Sequence, residues 1–263
     1  SPVSSAALAA GFPDARMVNA AQLDAALGSA QTKLLVLPYG STYPEAAWPS
    51  ILRYLDRGGN LIVLGGKPFT RAAYRDGNTW RLRESSVAAS LELFIQGWQA
   101  TPGSKTLQFE PNADVAPTLP AFGWKQAWSP VIRLSVVMDP KDTAANNGSE
   151  DAFLTTLAWG TRDGHKLAAP AVLVDHVQHR FVGGRWIFLA CDPDGNAFAN
   201  PPLLQRLQAL ALRQRDRFTF RPRMPLFVQG EALQFQFEPA RGTTIEAGDT
   251  LKQNDFHCRL RSV

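Results

Sequence analysis

Two short runs of consecutive apolar residues constrain this chain most: Leu34 to Gly40 (LLVLPYG) and Asn60 to Gly66 (NLIVLGG). Neither alternates apolar with polar, so each predicts a strand covered on both faces. The residues between them read as a helix. Pro49 suits a first helical turn, Ile51, Leu52 and Leu55 form an apolar stripe, and Gly58 supplies a stop. Strand, helix and strand with short links predict a βαβ unit with parallel strands and a right-handed crossover. Just upstream, Asn19 and Gln22 have capping-box spacing, and Leu23 and Leu27 fall on one helical face.

The pattern then changes. Asp76-Gly77 predicts a hairpin, while Ser85 to Trp98 carries a helical start and a β-like finish. Residues 99–130, rich in Pro, Gly, Asn and Gln, predict an irregular excursion, followed by a strand from Ile132 to Asp139 and a polar loop from Asp139 to Asp151. From Ala152 to Cys191, AFLTTLAWG reads as a strand or short helix. APAVLVDH, HRFVGG and GRWIFLACD predict three strands of a local antiparallel ribbon. PPLLQRLQALALRQRD follows as a helix with Leu203, Leu207 and Leu210 on one face. We place a domain boundary at residue 217. Residues 218–263 contain an alternating stretch at Leu233, Phe235 and Phe237, the start of an incomplete β-sandwich.

Composition narrows the function classes. With 263 residues, 45% hydrophobic and 19% charged, the chain can bury a sizeable core, which excludes disorder and coiled coil. No apolar run approaches the ~18 residues of a membrane-spanning helix, so no membrane partner is expected. The net charge is +4, but residues 213–263 alone hold 9 basic and 6 acidic side chains, or +3. The cluster Arg213, Arg215, Arg217, Arg221 and Arg223 reads as a helix end and linker, with no interleaved aromatics to stack bases, so no nucleic-acid partner is expected. Cys191 and Cys258 form no framework, and the opening SPVSSAALAAG has no basic leader; neither fixes the compartment.

The segment from Leu34 to Phe69, the late GGRWIFLACDPD strand and the closing amphipathic helix together resemble a known family. It is the glutamine-amidotransferase-like α/β domain of bacterial glycoside hydrolases, including the middle domain of large β-galactosidases. The likeness covers roughly residues 15–215 and is strongest at 33–70 and 168–192. It implies a flavodoxin-like three-layer sheet with an antiparallel extension, then a β-sandwich segment near whose start Gly230-Glu231 stands. It also implies a periplasmic or secreted carbohydrate-active parent enzyme. Expected partners are other domains of the same polypeptide or a second copy of the chain, together with carbohydrate.

The chemistry of that family is not matched. Active members carry a Cys on a strained strand-to-helix elbow, whose free backbone N–H groups hold an oxyanion, and a His-x-Glu farther on. The corresponding turn here reads Gly65, Gly66, Lys67, Pro68, Phe69, and the nearest hydroxyl belongs to Thr70. Cys191, flanked by Leu189 and Pro193, reads as a buried inert thiol, and an active amidotransferase or peptidase relying on it is the alternative reading. His176 and His179 in DHVQH read as a polar hairpin tip rather than metal ligands, and Asp192 to Asn196 as a turn. No catalytic residue, metal or cofactor is expected. Ligand contacts are expected at the strand ends, from Tyr39, Ser41, Tyr43, Lys67, Phe69 and Arg71. The chain therefore reads as a non-catalytic accessory domain serving domain packing, oligomerisation or ligand-site completion, or else as a stand-alone carbohydrate-binding module.

Overall fold

The computed structural model describes residues 3–101, 103, 106–134, 151–177 and 179–213, and the backbone of two later strands. The chain divides into two compact units, Ser1–Gln214 and Arg215–Val263. In the first, the elements before the hairpin are α1 (Ser5–Gly11), α2 (Leu23–Gly28), β1 (Leu34–Leu37), β2 (Thr42–Pro44), α3 (Trp48–Asp56) and β3 (Asn60–Leu64). The hairpin β4 (Arg71–Asp76) and β5 (Thr79–Leu82) follows, then α4 (Ala88–Glu92), β6 (Ile95–Ala100), β7 (Gln108–Pro111) and β8 (Trp124–Ile132). The unit ends with β9 (Ala152–Arg162), β10 (His165–His176), β11 (Arg185–Leu189), β12 (Cys191–Pro193) and α5 (Pro201–Leu212). In the second unit, β13 (Phe218–Pro222) pairs antiparallel with β14 (Phe235–Pro239).

The first unit is mixed α/β. Among the described residues its main sheet runs β1-β3-β11-β10-β9-β7. β1, β3 and β11 are parallel; β10, β9 and β7 continue the sheet antiparallel. The period-2 geometry of a strand splits its apolar residues between two cores. Leu61 and Val63 of β3 and Trp186 and Phe188 of β11 join Leu23, Leu27, Ile51 and Leu55 of α2 and α3 on one face. Ile62, Leu64, Ile187 and Leu189 face the other way, against Leu203, Leu204, Leu207 and Leu210 of α5. Helices thus cover both faces of the parallel part of the sheet, as continuously apolar strands require.

Several local readings hold. The Asn19–Gln22 capping box closes reciprocally, with both hydrogen bonds at 3.1 Å, one turn before α2 begins. Pro49 lies in the first turn of α3, and the hairpin turns at Gly77 with φ +58°. Gly58 ends α3 at φ +82°, and a Cβ added there would lie 2.5 Å from the Val182 carbonyl oxygen. That close approach lets the start of β3 pack beside the loop entering β11.

Other readings need correction. β1 is the outer strand of the described sheet: Leu35 and Leu37 are buried on one face, while Leu34 and Val36 pack half-buried against the core on the other, so one face is covered less deeply than the continuous apolar run predicts. The stretch 99–130 is not simply irregular, because β7 lies within it and β8 starts there; β8 ends at Ile132, and residues 135–139 of the strand expected from Ile132 to Asp139 lie outside the described residues. HRFVGG is a turn, and β9 takes its place in the antiparallel ribbon. His176 is not at a polar tip: it is 3% exposed, its ring centroid 4.0 Å from that of Trp186. The polar loop expected at 139–151, apart from Asp151, lies outside the described residues, as do Leu233 and Cys258.

Candidate functional site

The carboxyl ends of β1, β3 and β11 meet at one end of the sheet, where α/β folds characteristically bind ligands. The turn leaving β3 organises this end. Gly65, Gly66 and Phe69 all have left-handed backbone, at φ +94°, +58° and +61°. For a bulky residue such as phenylalanine that conformation is strained. It turns the Phe69 ring inward, to 1% exposure, where it packs 5.3 Å from Trp48 and 6.0 Å from Tyr43 between ring centroids.

The loop after β1 is zipped onto this turn. The Ser41 hydroxyl accepts the Lys67 N–H at 2.8 Å, and the Ser41 carbonyl accepts the N–H groups of Thr70 at 3.2 Å and Arg71 at 3.0 Å. A Cβ on Gly66 would come within 2.5 Å of that hydroxyl, so the close approach requires glycine. Beyond it, β2 and β4 continue the contact as a parallel pair.

The same bonds decide what the turn can do. The Gly65 N–H donates to the Leu189 carbonyl at 2.8 Å, and the Gly66 N–H to the Cys191 carbonyl at 3.1 Å. With Lys67, Thr70 and Arg71 committed to Ser41, these five amides hold protein acceptors and are not available to an oxyanion. The Thr70 hydroxyl is 2.8 Å from the Lys67 carbonyl oxygen and donates to it. Cys191 is 1% exposed, and its burial, aided by the neighbouring Asp192 charge, pushes the thiol pKa well above its ordinary value. A thiol in that state is protonated and unreactive.

The six residues expected to contact ligand therefore divide. Tyr39 is 63% exposed, and Arg71 is also exposed. Ser41 is spent on the turn, and Tyr43 is half-buried against Trp48 at 5.1 Å, its pKa raised chiefly by desolvation. Phe69 is inside the core. Lys67 is half-buried with its Nζ 5.9 Å from the centre of the Trp128 ring.

Lys67 opens onto a cleft of about 410 Å³ that sequence reasoning did not assemble. Its other walls are Thr70, Ser85, Ser86, Val87 and Trp98. Trp98 and Trp128 come from distant parts of the sequence. β6 pairs with β8 so that Trp98 faces Pro130 and Ala100 faces Trp128, which puts both indoles diagonally on one face. The Trp98 indole nitrogen is buried with no hydrogen-bond acceptor among the described residues. The available signals were the lysine after a strand-ending glycine pair and the Ser-Ser before a helix. Only the strand register connects them to the tryptophans.

At the opposite end of the sheet, His179 Nδ1 lies 2.5 Å from a carboxylate oxygen of the largely buried Asp151. Among the described residues, no group of three or more His, Cys, Asp and Glu side chains is placed to hold a metal ion.

No protein-family model matches the chain, and no curated protein sequence does. Among solved structures, it is similar to a β-galactosidase from Bacillus circulans sp. alkalophilus, at 13% identity and a TM-score of 0.38, over 70% of this chain and 23% of that one. It is also similar to the cold-adapted β-galactosidase from Rahnella sp. R3, at 12% identity and a TM-score of 0.43, over 89% of this chain and 34% of that one. The chain thus spans about a quarter to a third of the length of these neighbours.

Proposed function

We propose that residues 1–217 form a flavodoxin-like, glutamine-amidotransferase-like domain without amidotransferase chemistry, followed at 218–263 by the start of a β-sandwich. In this reading it is a non-catalytic accessory domain of a carbohydrate-active multidomain enzyme, serving domain packing, oligomerisation or completion of a ligand site. The sequence resemblance supplies the family. The observation that carries the non-catalytic part is the turn after β3, where five amides already hold protein acceptors and the Cys191 thiol is buried. Acyl-transfer catalysis needs both an activated nucleophile and free donors for the developing oxyanion.

Thiol reactivity provides the test. In a Cys258→Ser variant, the Cys191 thiol should react with a maleimide only as fast as the domain unfolds, accelerating with denaturant. The same protein should release no ammonia from glutamine. Rapid labelling under native conditions, with a rate that follows thiol ionisation, would instead favour an amidotransferase that uses Cys191.

A further inference from the structure

We infer that the cleft beside Lys67 binds a single saccharide ring carrying an anionic substituent, a carboxylate or a sulfate. The inference rests on the carbohydrate-associated reading above and names the ligand class that the site would take.

Three observations point this way. First, a volume of about 410 Å³ lies within the range of small-ligand sites and suits one ring with its substituents. Second, the wall contains one cation and no carboxylate: Lys67 is lined up with Thr70, Ser85, Ser86, Val87 and Trp98. Among the described residues Lys67 makes no ion pair, and its ammonium stands 5.9 Å from the centre of the Trp128 ring. A half-buried ammonium without a counter-charge favours an anion over a neutral ligand. Third, the remaining chemistry suits a polyhydroxylated ring. Ser85 and Ser86 are exposed hydroxyls, each able to donate and accept. Trp98 brings the apolar surface of its half-buried ring to the wall.

The position of the cleft agrees. It sits at the carboxyl end of β3, on a turn pinned by Ser41, so the Lys67 backbone is fixed before any ligand arrives. Preorganisation of that kind lowers the ordering cost of binding.

The experiment is a calorimetric and tryptophan-fluorescence titration of the full chain with D-glucuronate, D-glucose and sodium sulfate, repeated with Lys67→Gln and Lys67→Arg. D-galacturonate and D-galactose form a second matched pair. The expected result is saturable uronate binding about tenfold tighter than that of the matching neutral sugar. Lys67→Gln should remove that advantage and Lys67→Arg should retain it. Sulfate should compete with the uronate, and Trp98→Phe should weaken both sugars. Sulfate binding as tightly as the uronates, with no contribution from Trp98, would make this an anion site without saccharide recognition and would overturn the inference. Equal binding of acid and neutral sugars that is unchanged in Lys67→Gln would also overturn it. So would the lack of saturable binding by any probe in a protein whose circular dichroism is native. None of these results alters Cys191 labelling, so the two readings fail separately.

Discussion

Tyr54 closes the end of α3 over β3. Its hydroxyl donates to the Asn60 carbonyl at 3.0 Å, and burial pushes its pKa to about 12. An unfolded tyrosine ionises near pH ~10. Below that pH both states keep the proton; between about 10 and 12 the unfolded chain loses it while the folded one retains it. Stability should therefore fall as pH rises through that window. Urea denaturation measured at stepwise pH should show the fall, and Tyr54→Phe should reduce its slope. The same variant should lose about 1 kcal/mol at neutral pH with the hydrogen bond. At this scale the sequence is a partial guide. It placed Lys67 at a strand end, because an apolar run stopping at Gly65-Gly66 marks that end unaided. It did not show Phe69 turned inward, since a left-handed phenylalanine is imposed by the tertiary contacts of Tyr43 and Trp48.

Elements were legible where their signals are local. The capping box before α2, the apolar stripe of α3 and the Gly77 turn each depend on residues a few positions apart, and each formed as read. Elements whose identity depends on a distant partner were not legible. β7 is a strand because it pairs with β9, and Leu34 and Val36 of β1 are only half-buried where the described sheet ends. The two turn glycines turn this distinction into a measurement. Both Gly58 and Gly77 have positive φ, but around Gly77 nothing lies within 4 Å of an added Cβ, whereas at Gly58 the Val182 oxygen would be 2.5 Å away. Gly77→Asn, which tolerates left-handed backbone, should cost less than about 1 kcal/mol. Gly58→Ala adds a steric clash to the backbone penalty and should cost more than about 2 kcal/mol. Denaturant midpoints at constant slope would compare them.

For the whole molecule, the first unit holds two apolar cores whose described members come from residues 3–211. A chain stopped after Arg213 should therefore keep its cooperative unfolding and its protection of Cys191, measured by denaturation and maleimide labelling. Loss of both would show that the first unit depends on residues 214–263. The pairing of β3 with β11 has a further consequence, for synthesis. The Asn60 side chain accepts the Arg185 N–H across 125 residues of sequence, and the parallel seam closes along the same line. As the chain leaves the ribosome, β3 can join β1 at once, yet its other edge stays bare until β11 emerges. Throughout that interval a five-residue apolar strand offers unsatisfied amides and carbonyls to any neighbouring nascent chain. The seam that makes the sheet continuous is thus also its latest and most exposed step, where a holdase chaperone would protect yield most.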